Sequence, residues 1–171
     1  FHQDQETAVA LATDVLKEFP VIYEQAWLKL FRAKLGLQVQ HSDDAMLVND
    51  LLTWMKDTKA DFTNTFRNLA TLDVPGDELF SAWQHRWQAR QQLESNSTQQ
   101  RIDLMNMSNP VVIPRNHRVE EALSAAALQG NIEPFNRLLA VVQKPFTESS
   151  ANLDYREPPA TEEGYHTYCG T

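Results

Sequence analysis

"VEEALSAAALQGNIEPFNRLLAVV", residues 119–142, decides the fold class of this 171-residue chain. Val119, Ala122, Leu123 and Ala126 recur at helical spacing, and Ile132, Phe135, Leu138, Leu139 and Val142 do so again after a short interruption. Gly130-Asn131 places a C-capping glycine before an N-capping asparagine, the chemistry of a tight turn between antiparallel helices. The segment predicts an αα-hairpin. A helical solenoid would need about three stacked copies of such a unit, and no second copy is present.

Just upstream, "MSNPVVIPRNHRVEEAL", residues 107–123, breaks the helical pattern. Pro110 and Pro114 bias Asn109 and Ile113 away from helix, which makes 111–113 an extended connector with fixed ends. Arg115 can fork to a carboxylate or to carbonyls at a helix C-terminus, Asn116 is a natural N-cap, and Glu120 and Glu121 suit a first helical turn. The motif of Asn109, Pro110, Pro114, Arg115, Asn116 and His117 reads as an ordered hinge that holds the final hairpin. The functional alternative has Arg115 or His117 reaching a nucleotide site.

Earlier segments are helical too. Over residues 5–35, Val9, Ala12, Leu16, Tyr23, Trp27, Leu30, Phe31 and Leu35 fall on helical spacing, with Pro20 expected to divide or kink the helix and Gly36 to end it. Ser42 is the candidate N-cap of a helix striped by Leu47, Leu51, Leu52 and Met55, and "DFTNTFRNL" makes a short helix. In "DELFSAWQHRWQARQQLES", Phe80, Trp83 and Trp87 share one face. Tryptophans four residues apart belong to a core far more often than to a ligand box. A break and another short helix follow in "NSTQQRIDLMNMSNP".

The expected fold is therefore all-α, an irregular helical bundle over residues 1–145 ending in the hairpin. Residues 146–171, proline-bearing and without periodicity, are expected to form an extended tail, anchored by Tyr155, Tyr165 and Tyr168 rather than by hydrogen-bonded secondary structure.

Composition narrows the function. A net charge of -8 and a pI near 5.0, with no basic cluster, argue against a general nucleic-acid binder. No apolar run approaches the roughly 18 residues that cross a bilayer. Cys169 is the single cysteine, so neither an internal disulfide nor a thiolate zinc site forms within the chain; a reducing, cytoplasmic setting fits. The start at Phe1, without an initiator Met, reads as a processed or excised segment. His2, His41, His85, His117 and His166 show no metal-ligand spacing, and His117 with Glu120 and Glu121 reads as helix-start chemistry. Asp43 and Asp44 read the same way, and Asp57 and Asp61 as solvated carboxylates. There is no glycine-rich phosphate loop, so no cofactor is expected on this chain itself.

"NPVVIPRNHRVEEAL", followed by "GNIEPFNRLLAVVQKPF" and "YHTYCGT", resembles the C-terminal end of the selenoprotein O family. "RAKLGL", "DDAMLVNDLLTWM", "DFTNTFRNL" and "WQHRWQAR" look like earlier landmarks of that family in the same order. The resemblance implies a kinase-like protein adenylyltransferase that binds ATP in an inverted pose, uses Mg or Mn, and transfers AMP to Ser, Thr or Tyr hydroxyls of substrate proteins. Its catalytic residues belong to a kinase-like part absent from this chain, which becomes the expected partner, and no catalytic or nucleotide-binding residue is carried over. The resemblance also places Cys169 at a position like that of a redox-active selenocysteine or cysteine. A helical interaction module without a catalytic role is the alternative.

Overall fold

The structure, a computed structural model, describes residues 4–160. It is built from α1 (Gln5–Lys34), α2 (Asp44–Thr58), α3 (Phe62–Asn68), α4 (Glu78–Gln91), α5 (Thr98–Ser108), α6 (Asn116–Gln129), α7 (Glu133–Val142) and a 3-10 helix at Ser150–Tyr155. Among the described residues there is no strand. The chain divides into two units: Phe1–Ala60 with Asp73–Ser108, and Asp61–Leu72 with Asn109–Thr171.

In the first unit, α2 packs on α4, and α1 on α5 and α2. The expected stripe of α2 is buried at Leu47, Leu51 and Met55, joined by Val48 and Trp54. Opposite them stand Phe80, Trp83 and Trp87, with ring centroids 5.5 Å apart from Phe80 to Trp83 and again from Trp83 to Trp87. The aromatic stripe of α4 is thus core. Each indole N–H in this core finds an acceptor: Trp54 donates to Asp77 Oδ1 at 3.0 Å, Trp83 to the Leu47 carbonyl at 2.8 Å and Trp87 to the Leu35 carbonyl at 2.9 Å. Gly36, at φ +73°, turns the chain after α1 as expected.

Pro20 does not divide α1, which stays helical from Gln5 to Lys34. Proline removes the N–H that would serve the Leu16 carbonyl, but Leu16 is 70% exposed and water can take that place. The start of α2 also differs from expectation. Asp43, not Ser42, is its N-cap, and the Ser42 hydroxyl instead donates to Asp43 Oδ1 at 3.1 Å.

The second unit holds α3, the connector, and the α6–α7 hairpin with the 3-10 helix packed against α7. Gly130 is the left-handed C-cap of α6 (φ 64°) as expected, but the N-cap of α7 is Ile132 rather than Asn131, which sits one residue earlier and accepts the Glu133 N–H on its Oδ1 at 3.1 Å. Beyond Pro145 the tail has more order than expected. Asn152 Oδ1 accepts the Ser149 N–H at 3.1 Å while its amide donates to the Thr147 carbonyl at 2.6 Å, and this local bonding winds Ser150–Tyr155 into a 3-10 helix. Tyr165, Tyr168, His166 and Cys169 lie outside the described residues.

Candidate functional site

Residues 109–115 form the candidate site, because their order does not come from a regular element. Val111 and Val112 are buried, and their N–H groups both donate to the Pro145 carbonyl, at 2.7 and 3.3 Å. With Pro110 and Pro114 lacking N–H groups of their own, this shared acceptor fixes the connector's path. Asn109 is buried at the upstream end, where its carbonyl accepts from Arg67 Nη1 at 3.2 Å.

Arg115 closes the downstream end. Its Nη1 and Nη2 donate to Asp61 Oδ2 and Oδ1, both at 2.9 Å, in a bidentate fork. Asp61 also caps α3 by accepting the Asn64 N–H at 2.8 Å. The expectation that Asp61 is a solvated carboxylate is therefore corrected. Burial pushes its carboxyl up, but the hydrogen bonds from Arg115 and Asn64 and the Arg115 charge outweigh this and hold it below the usual carboxylate value.

Asn116 is exposed and is the first residue of α6 rather than its cap. The capping position falls to Arg115, whose backbone is extended and whose carbonyl accepts the Arg118 and Val119 N–H groups at 2.9 and 3.0 Å. Its side chain is committed to Asp61. His117 is half-buried, and burial, Arg118 and Arg115 push its imidazole below the ordinary value against the opposing pull of Glu121. It stays neutral near pH 7. Among the described residues no three His, Cys, Asp or Glu side chains gather as a metal would need.

A second polar network lies in the first unit and was not anticipated. Asp44, fully buried, accepts from Arg90 Nε at 2.7 Å and from the His41 N–H at 2.9 Å. Arg90 also donates to Glu94 Oε1 at 2.8 Å and to the Val39 carbonyl at 2.6 Å. Glu94 in turn accepts from the Gln38 and Val39 N–H groups. Burial pulls the Arg90 guanidinium down, yet its bonds to Asp44 and Glu94 prevail and raise it. The spacing of Asp43-Asp44 at a helix start carries no sign of this inward role. Beside the network is a recess of about 290 Å³ edged by His41, Asp43, Met46, Arg86 and Leu93.

Three guanidinium groups are engaged within the chain. Arg115 is forked to Asp61, Arg90 is held by Asp44, Glu94 and Val39, and Arg67 bonds Asn109 and Glu148. These guanidinium groups work as internal cross-links.

The model of a family described as "Protein adenylyltransferase SelO" matches residues 6–143. This chain belongs to the SelO family. Similar proteins include "Protein nucleotidyltransferase YdiU" of Halalkalibacterium halodurans, 45% identical over 98% of this chain, and its namesake of Geobacillus kaustophilus, 42% identical over 99%. The Pelagibacter ubique protein of the same name is 38% identical over 98% of the chain. These matches cover 35%, 36% and 36% of the relatives, so the chain spans about a third of the SelO-family proteins it resembles. The matched residues 6–143 contain the connector, the Arg115–Asp61 fork and the Asp44–Arg90–Glu94 network.

Proposed function

We propose that this chain is the helical, structural and regulatory portion of a protein nucleotidyltransferase that transfers AMP from ATP to Ser, Thr or Tyr hydroxyls of proteins. The observation that carries the reading is the family match over residues 6–143, together with the coverage of only about a third of each relative. On this reading ATP and Mg or Mn are bound by a kinase-like part of the longer protein, in the cytoplasm, and the present chain alone transfers nothing. The commitment of Arg115, Arg90 and Arg67 to carboxylates and carbonyls supports that division of labour.

The test compares this chain with the full product of its gene, using labelled ATP and mixed protein substrates. AMP transfer by the full product and none by the chain is the expected result. Micromolar ATP affinity of the chain alone, measured by calorimetry, would refute it. A second reading, a helical interaction module without catalysis, is favoured by one observation: the exposed apolar side chains along α1. A full product that binds proteins but transfers no nucleotide would establish it.

A further inference from the structure

α1 is thirty residues long, about 45 Å of helix, and it leaves its apolar side uncovered. At 100° per residue, Val15, Leu16, Phe19, Ile22, Tyr23 and Leu30 fall on one half of its circumference. Asp14, Lys17, Glu18 and Glu24 fall on the other. Amphipathic helices with this division normally bury the apolar half, since little else holds a helix together in water. Here every residue from 9 to 26 is exposed, with Val15 at 69%, Leu16 at 70% and Leu30 at 65%. Burial begins only near the C-terminal end, where Leu35 and Leu37 are enclosed and Lys34 Nζ donates to the Ser108 carbonyl at 3.2 Å. The helix is fastened at one end and bare along most of its length.

We infer that this bare face is the seat of the remainder of the longer family polypeptide, docked along α1 in the same molecule. The inference rests on the proposed function for the identity of that remainder. Two observations select this occupant. The first is length: the chain accounts for 36% of the Geobacillus kaustophilus relative, which leaves ample chain outside the matched third to cover the face. The same polypeptide also supplies it at high effective concentration. The second is charge. From residue 5 to residue 26 the helix carries Glu6, Asp14, Glu18 and Glu24 against Lys17 alone, so an anionic lipid surface would be repelled from its flanks.

Single cysteines at Leu16→Cys, Phe19→Cys and Tyr23→Cys, with Glu18→Cys and Glu24→Cys as polar-face controls, are made in a Cys169→Ser background. Each is labelled with a maleimide, in this chain and in the full gene product, and read site by site by peptide mass mapping. The apolar-face positions are expected to react at least tenfold more slowly in the full product, with the controls unchanged. Hydrogen exchange of the unaltered proteins gives the same readout without substitution: amides of residues 9–26 gain protection in the full product. Equal reactivity and exchange in both would overturn the inference, as would a full product no longer than this chain. Protection already present in the isolated chain and rising with its concentration would assign the face to a second copy instead. Nucleotide transfer is assayed on the same full product: transfer with an unprotected face removes only the docking, and a protected face without transfer removes only the enzymatic reading.

Discussion

Arg115 and Asp61, 54 residues apart in sequence, meet through two hydrogen bonds of 2.9 Å each. The pair ties the start of α6 to the start of α3, because Asp61 is at once the partner of the guanidinium and the N-cap of the short helix. Arg115→Ala is expected to lower stability by about 2–3 kcal/mol, and Arg115→Lys by about 1 kcal/mol, since an ammonium keeps the charge but cannot fork. Urea midpoints check both. A midpoint unchanged by Arg115→Ala, with activity of the full product lost, would mark Arg115 as a catalytic contact.

The same carboxylate sets an acid limit. Asp61 is held below its ordinary value of 3.8 in the folded chain, so the unfolded state takes up its proton first as pH falls. The stabilisation is complete above the ordinary value and is lost as the pH drops through the lower, folded one. Asp61→Asn should therefore flatten the acid side of the stability curve while lowering the plateau near pH 7. Urea unfolding at a series of pH values measures it.

Arg90→Ala is expected to be costlier, about 3–5 kcal/mol, because it removes the guanidinium shared by the Asp44 and Glu94 carboxylates, whose side chains are 0% and 1% exposed. It leaves Asp44 with Arg32 at 4.0 Å as its remaining ion pair. The double change Asp44→Asn with Arg90→Met should lose less than the two single changes added together. A thermodynamic cycle over the three variants gives the coupling.

Two glycines separate backbone strain from crowding. Gly36 and Gly130 both have positive φ, +73° and +64°. A Cβ at Gly130 would meet nothing within 4 Å, whereas at Gly36 it would lie 3.1 Å from Met105 Cγ and 3.3 Å from the Arg101 carbonyl oxygen. Gly130→Ala should cost about 1 kcal/mol and Gly36→Ala clearly more. Thermal unfolding of the two variants ranks them.

Helical periodicity was enough to find the helices, because a repeat such as Phe80, Trp83, Trp87 is a local property of the chain. Gly36 and Gly130 were legible as stops for the same reason. Asp44 and Asp61 were not legible, since a carboxylate at a helix start satisfies local rules whether it faces water or a guanidinium 46 or 54 residues away. Of the two outcomes open at Pro20, division of the helix did not occur: a local penalty of about 3 kcal/mol is small enough for a helix of this length to continue through it. In the connector, the fork of Arg115 to a carboxylate was foreseen as a type of contact. Its partner was not, and the N-cap is Arg115 rather than Asn116, because Arg115 is the last residue with extended backbone before α6.

The second unit is assembled from separated pieces of chain, with Asp61–Leu72 leaving the ribosome well before Arg115 does. At about 5–20 residues per second, the 54 residues between Asp61 and Arg115 take roughly 3–10 s to make. During that interval Phe66 and Leu69, both enclosed in the finished fold, belong to a nascent stretch whose carboxylate has no guanidinium to meet. Translation speed over the stretch made while Asp61–Leu72 is outside the ribosome and Arg115 is not thus becomes a variable in the yield of folded protein, and a slow codon cluster there would lengthen the time these side chains are offered to chaperones.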